Sequence, residues 1–421
     1  IIQGLRSQIQ TLEAKVVEME NVQKQLELHV QNLNGTIVEQ QDAIDEYERR
    51  KREDETTRRK LHNLVQELKG NIRVFCRVRP ALEFDQNEGD AQESIYSIDD
   101  RNGSITAQAP AKRNLKEGGR TSSENFQFDQ VFGRSSTQSE IFSEVSQLVQ
   151  SALDGYRVCL FAYGQTGSGK THTMLGSMED PGVIPRSIQQ IFSEAERLKE
   201  HDWSFSLRAC FMEIYNETIR DLLSTLDTDK AHEIKMSKDG DEYVSYVSGV
   251  TIENVGSVDE INALMQRSMK NRSTASTNMN ERSSRSHSVF RLYINGKNSD
   301  TGVESNGVLN LIDLAGSERL KKSNSENERL TETQNINKSL SALGDVIAAL
   351  GNKSKHVPFR NSKLTHLLQD SLGGNCKTLM FVNLSPAPDS YQESMCSLRF
   401  AKKANACDIG TAQRKTHITF N

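Results

Sequence analysis

Residues 1–48 repeat an apolar–polar pattern with a period of seven. With Ile2, Ile9, Val16, Gln23, Val30, Ile37 and Ile44 at one seam position, Leu5, Leu12, Met19, Leu26, Leu33, Gln40 and Tyr47 fall at the other. β-Branched residues at the first position and mainly Leu at the second favour a parallel two-stranded coiled coil. A dimer through this helix is expected, with a second copy or a different chain. The alternative, one amphipathic helix packed on a globular body, usually has a wider apolar stripe. Gln23 and Gln40 interrupt the seam, and Gly35 weakens the helix off it. Seam positions turn charged at Lys51, Asp54 and Arg58, then Leu61, Val65 and Leu68 restore the pattern. This reads as a helix that continues while its pairing loosens. Its basic cluster would meet an acidic surface or, as is commoner for such runs, water.

Gly70-Asn71 is a helix stop, and Ile72 to Val78 begins a strand that Pro80 ends. From Ala81 to Asn125 the chain is polar, with a hairpin signal around Ser94 to Ala107, and Phe126 to Phe132 returns to a core. Helical periodicity over Ser139 to Leu153 leads into an apolar run at Val158. Further strand-like runs lie at Ser204 to Tyr215, His287 to Ile294, Val308 to Leu314 and Thr378 to Leu384, interleaved with helical stretches. Strands alternating with helices predict an α/β domain around a central sheet, with ligands beyond the strand ends.

One such end carries Gly164-Gln165-Thr166-Gly167-Ser168-Gly169-Lys170-Thr171, the spacing of a phosphate-binding loop. Glycines let backbone amides converge on one anion, and a helix starting near Lys170 adds the positive end of its dipole. Lys170 would reach the β- and γ-phosphates, and the Thr171 hydroxyl would hold magnesium. The bland alternative is a Gly/Ser-rich turn. A second strand, Val308 to Leu314, ends in Asp313-Leu314-Ala315-Gly316, where an Asp would hold magnesium through water and a glycine amide would meet a γ-phosphate. Alone this is a weak signal; beside a phosphate loop it gains weight. Asn280 to Ser288 is Ser-rich and basic, and composition alone makes it a flexible polar loop. Its hydroxyls would otherwise suit magnesium, phosphate or water, with Arg285 as an internal cation. Asn337-Lys338-Ser339-Leu340 and Asn352-Lys353-Ser354-Lys355 lack the aspartate of a guanine-reading N-K-x-D. Adenine is the expected base.

The net charge of −5 gives no bulk attraction to nucleic acid, so any acidic partner must be met by a local basic patch. Six scattered cysteines, without a C-x-x-C pair, suit buried free thiols in a reducing compartment better than a disulfide framework or zinc site. No apolar run approaches the ~20 residues that span a bilayer, and no secretory leader is visible. The chain opens on Ile1 rather than methionine, which fits a piece of a longer protein.

Six motifs in order resemble the kinesin motor family: Cys76 to Pro80, Phe161 to Thr171, Ser283 to His287, Leu311 to Glu318, Asn335 to Leu340 and Val357 to Thr365. The resemblance runs from Gly70 to Cys407. It implies an α/β P-loop motor domain, a mixed sheet flanked by helices, over 70–407. A coiled-coil stalk and neck helix would precede it (1–69), and a short extension would follow (408–421). It also implies ATP with Mg2+. Arg77, Arg79, Pro80 and His172 would line the adenine side. Ser283, Ser284 and Arg285 match the first switch; Asp313, Gly316 and Glu318 match the second. Thr171, Ser284 and Asp313 would hold the metal, and an Arg285–Glu318 pair would latch the switches over the γ-phosphate. Glu318 would take the water's proton through a second water. The microtubule surface would include Lys321, Lys322, Lys338, Arg360 and Lys363. Asn327 stands at an expected loop position where many members have glycine. A coiled coil ahead of the motor resembles the C-terminal-motor (kinesin-14) branch. That branch implies minus-end movement, cytoplasmic microtubules and spindle work, with no membrane or nucleic-acid partner. The competing readings are a non-motile microtubule crosslinker and a DNA-associated coiled-coil ATPase. The intact site residues speak against the first; the absence of a strongly basic domain speaks against the second.

Overall fold

The computed structural model describes residues 2–85, 95–110, 123–224, 232–239, 242–274, 284–318, 327–407, 410, 412 and 414–418. The chain divides into two compact units, 1–62 and 63–421.

The first unit is most of one helix, α1 (Ile2–Leu68), unbroken through Gly35. At 1.5 Å per residue it is roughly 100 Å long. Its seam is exposed in the single chain, from Ile9 and Leu12 through Val30 and Leu33 to Ile44. In the charged stretch Arg49 and Arg50 pair with Glu46 one turn earlier, and Arg49 also reaches Glu53 at 2.8 Å. The basic run is thus compensated along its own helix face. Each exposed pair is weak on its own, but together they support a segment whose apolar seam lapses.

In the second unit the last turn of α1 stops at Gly70, whose φ of +86° and N–H bond to the Glu67 carbonyl close the helix. The elements that follow are β1 (Ile72–Val78), β2 (Gln130–Phe132), α2 (Gln138–Leu153), β3 (Arg157–Tyr163), α3 (Lys170–Met174), α4 (Val183–Leu198), β4 (Trp203–Tyr215), β5 (Glu253–Val255), α5 (Val258–Thr274), β6 (His287–Asn298), β7 (Val303–Asp313), α6 (Asn327–Gly351), β8 (Lys377–Leu384) and α7 (Tyr391–Asn405). Asn327 therefore opens a helix. The sheet order is β5-β4-β6-β7-β3-β8-β1-β2, with Thr218–Asp221 beside β4 and Thr416–Ile418 beside β7. From β7 to β2 the neighbours run parallel; β5, β4, β6 and β7 pair antiparallel. The predicted mixed sheet is the observed one.

Strand β3 shows why its run is apolar throughout. Cys159, Phe161 and Tyr163 enter one buried cluster with Leu343 and Val346 of α6 and Leu398 of α7. Val158, Leu160 and Ala162 enter the other, with Ile141 of α2, Ile188 of α4 and Ile261 of α5. A strand covered on both faces has no polar alternation. The hairpin expected near 94–107 is Tyr96–Asp99 with Ser104–Gln108, extended by a third strand, Ser123–Gln127. Five of the six cysteines are buried. No described helix is long and apolar enough to cross a membrane.

Candidate functional site

The parallel strands β3, β7 and β8 end together, and the loops leaving them build the site. After β3 the chain turns through Gly164, Gly167 and Gly169 at φ of +151°, +76° and +95°. A side chain at Gly164 would collide with the Asn383 carbonyl at the end of β8. Only glycine satisfies both demands there. Lys170 and Thr171 then open α3. The buried Lys170 ammonium donates to the Gly164 and Gln165 carbonyls, both at 2.9 Å. Burial lowers its pKa, opposed by the charges of Asp313 and Glu318. Its charge is thus held against the loop into which phosphates would enter.

Asp313, the last residue of β7, accepts from the Thr171 hydroxyl at 2.6 Å through Oδ2. Its Oδ1 is buried without a hydrogen-bond partner among the described residues, and burial raises its pKa. An orphaned buried carboxylate oxygen beside a hydroxyl is a donor set that suits a hard divalent cation and its water. The chain continues into the second switch. Gly316 N–H donates to the Ser284 carbonyl at 2.7 Å, and Ser317 N–H to the Gly164 carbonyl at 3.0 Å. The Glu318 carboxylate accepts from Thr166 twice, from its N–H at 2.7 Å and its hydroxyl at 2.5 Å. Both switches and the phosphate loop therefore meet here. In this structure Glu318 is engaged by Thr166; the expected pair was with Arg285.

Ser284 and Arg285 lie in the turn before β6. Ser283, Lys321 and Lys322 lie outside the described residues. The site's rear is held by Arg272 of α5, which donates to Ser286 Oγ at 2.9 Å and approaches the fully buried Glu213 at 3.4 Å.

Arg77 and Arg79 part company. Arg77 is 4% exposed and donates to Gln138 and Thr173, so its guanidinium supports α3 from below, and burial lowers its pKa to about 10. Arg79 lines a cleft of about 230 Å3 with Asp85, Gln165, Ser385, Pro388 and Asp389. It donates to the Gly167 carbonyl at 2.7 Å and is clamped by Asp85. Pro80 and His172 are exposed, and the His172 carbonyl accepts from Gln138 at 2.5 Å.

Among the remaining basic residues, Lys338 is exposed on α6 and Arg360 is exposed in the turn Phe359–Asn361. Lys363 opens the short helix Lys363–Leu367, its N–H bonded to Glu217 at 3.0 Å. Sequence reasoning missed a further cluster. Lys377, 1% exposed at the start of β8, donates to Asn63 of the last turns of α1 and to Ser151 of α2, each at 3.1 Å. Its ammonium also lies 3.8 Å from the Tyr156 ring centre. Arg73 donates to the Gln66 carbonyl at 2.9 Å, and Gln66 to Gln147 at 2.8 Å. The end of α1 is thus rooted in β1, β8 and α2.

A P-loop whose threonines bond the second switch, which in turn bonds the first, on a mixed sheet with helices on both faces, defines a nucleoside-triphosphate switch protein. The kinesin motor-domain model matches residues 77–407, and the chain belongs to the kinesin motor family. It is 51% identical over 391 residues to the kinesin-like protein KIN-14D of Arabidopsis thaliana, covering 90% of this chain and 48% of that protein. To carboxy-terminal kinesin 2 of Xenopus laevis it is 51% identical, covering 85% of this chain and 56% of that protein. The chain thus spans about half the length of the relatives it matches. Among solved structures, it is similar to the C-terminal motor and motor homology domain of Kar3Vik1 fused to a synthetic heterodimeric coiled coil. That match has a TM-score of 0.74 at 43% identity, covering 95% of this chain and 99% of that one. It is also similar to the motor domain of Kar3 from Saccharomyces cerevisiae, with TM-score 0.68 at 47% identity, covering 80% and 100%. These relatives are kinesin-14 members, the branch that the order of coil and motor implied.

Proposed function

We propose that this chain is a microtubule-dependent ATPase that couples hydrolysis to movement or force toward microtubule minus ends. The observation that carries the reading is the meeting of Thr166 with Glu318, Thr171 with Asp313 and Gly316 with Ser284 at one loop. Each bond joins a nucleotide-sensing segment to its neighbour, so ligand charge placed there must rearrange them. Lys170 leaves its loop carbonyls for the β- and γ-phosphates. Magnesium would be held by Thr171, Ser284 and, through water, Asp313; when bound it neutralises phosphate charge. Glu318 exchanges Thr166 for Arg285, closing the switches. A water oxygen attacks the γ-phosphorus as the bond to the bridging oxygen breaks, and Glu318 receives the proton through a second water. Positioning and charge supply the rate.

Closure shifts the second switch against α6, on which Lys338 stands, and Arg360 and Lys363 complete the basic contact with acidic tubulin. The root of α1, held by Lys377, Arg73 and Gln147, converts this movement into a swing of the stalk. The exposed heptad seam supports a dimer, with a second copy or a different chain. Work on the mitotic or meiotic spindle is the cellular setting this branch suggests. Steady-state phosphate release from ATP, with and without polymerised tubulin, tests the proposal. Strong stimulation in the wild type that disappears in Glu318→Ala is expected. Microtubule binding without stimulated turnover would leave the crosslinker reading.

A further inference from the structure

The imidazole of His287 belongs to neither switch as described above, yet it touches the second switch and α6. It is the first residue of β6, directly after the first-switch turn, and is 3% exposed. Its Nδ1 accepts the backbone N–H of Ala315 at 3.0 Å, between Asp313 and Gly316. Its Nε2 faces Ser339 Oγ of α6 at 2.9 Å. The Ser339 hydroxyl has one proton, which lies toward the Ile336 carbonyl at 2.8 Å, leaving Oγ to accept from His287. Only the neutral tautomer with its proton on Nε2 satisfies both ends, because an amide N–H already points at Nδ1. Burial and the neighbouring cations Arg272 and Lys170 keep the ring neutral.

We infer that His287 is a positioning residue that transmits second-switch movement to α6 through the chain Ala315 N–H, imidazole, Ser339 hydroxyl. The geometry supplies a physical path. Gly316, whose amide reaches the Ser284 carbonyl, follows the anchored Ala315 directly, and Ser339 follows the exposed Lys338 on the helix. A shift of the second switch then displaces a rigid ring whose other end is bonded to the helix. A buried apolar contact would let the two surfaces slide; two directional hydrogen bonds on one flat ring do not. The inference rests on the proposed microtubule-stimulated turnover, so the wild type is measured first; a wild type without stimulation overturns that reading, not this coupling.

The experiment compares wild type, Ser339→Ala and His287→Asn in phosphate release against microtubule concentration, with fluorescent-ADP binding and thermal unfolding on each. Ser339→Ala removes the helix end of the path and leaves the Ala315 bond. It should lower microtubule-stimulated kcat about fivefold with basal turnover within about twofold and half-saturating microtubule concentration unchanged. His287→Asn keeps an acceptor for Ala315 and cannot reach Ser339, so it should show the same split. The double variant should lose no more than either single one. Equal loss of basal and stimulated rates would mean a merely structural bond and overturn the inference, as would full stimulation in Ser339→Ala or additive losses in the double variant. A failure of His287→Asn to fold leaves Ser339→Ala, which removes a single hydroxyl, to decide.

Discussion

Replacing Asn63 with alanine tests the root of the stalk helix, and its effect should depend on pH in a calculable way. Asn63 supplies one of two hydrogen-bond acceptors to the buried Lys377 ammonium, the other being Ser151. A hydrogen bond to a charged group contributes about 1.5–3 kcal/mol. The full loss cannot appear at neutral pH, however, because burial already lowers the Lys377 pKa from 10.5 to about 8. At pH 7 the proton is held by only about one pH unit, or roughly 1 kcal/mol. A loss of ~2 kcal/mol carries the pKa below 7, and the ammonium gives up its proton instead of bearing the rest. Asn63→Ala should therefore destabilise by roughly 1 kcal/mol at pH 7 and nearly 2 kcal/mol at pH 6, with almost no cost left at pH 9.5. The wild-type trend has the opposite character. A folded pKa below the unfolded value means that the unfolded chain binds more protons between pH 8 and 10.5. The contribution of Lys377 to stability therefore rises with pH across that window. Denaturant unfolding of both proteins at the three pH values is the assay. A mutational cost independent of pH would refute the reasoning, since it would show that the Lys377 charge is not what Asn63 satisfies.

The other expectations concern the site, the partner and the stalk. In Gly316→Ala a Cβ would strike the Glu318 carboxylate and the Thr166 hydroxyl, so ATP turnover should fall on the order of 100-fold while the unfolding temperature moves by only a few degrees. Retained turnover would show that the contact is not part of the reaction path. Arg360→Ala and Lys363→Ala should each weaken microtubule binding roughly threefold to tenfold at low salt, with the difference fading as ionic strength rises; co-sedimentation reads both. Leu26→Lys places a charge on an exposed seam position and should convert dimer to monomer in analytical ultracentrifugation. An unchanged dimer would mean that the seam is not the interface.

What could be read from the sequence was local, and what could not was made by distant contacts. The heptads, the Gly70 stop and the phosphate loop each depend on residue spacing within a few turns, and the structure has them where the spacing put them. The ends of β3 and β7 were legible for the same reason: an apolar run buried on both faces must stop where its chemistry begins. Thr166 and Glu318 are 152 positions apart, and no feature of Thr166 beyond its place in the loop marked it as a carboxylate's partner. Lys377 is harder still, since a lysine between Cys376 and a strand looks solvated until α1 folds back across 314 positions to meet it. Arg77 and Arg79 are two positions apart, which on a continuing strand would put both on one side; β1 ends at Val78, and past that end Arg79 lines the cleft while Arg77 stays buried. That difference was not available from the sequence, because period-two geometry alone puts positions 77 and 79 on the same side and only the end of β1 at Val78 separates them. The short β5 and the hairpin of Ile234–Asp239 with Glu242–Val247 carried too few apolar residues to stand out from loop.

The proposed motor makes its most direct claim in a polarity-marked gliding assay. With dimers held on a surface by the stalk and ATP supplied, microtubules should glide with their plus ends leading, as a motor stepping toward minus ends requires. Bound microtubules that never move would contradict the account and leave a crosslinker, and gliding with minus ends leading would contradict the direction drawn from the rooting of the stalk before the motor.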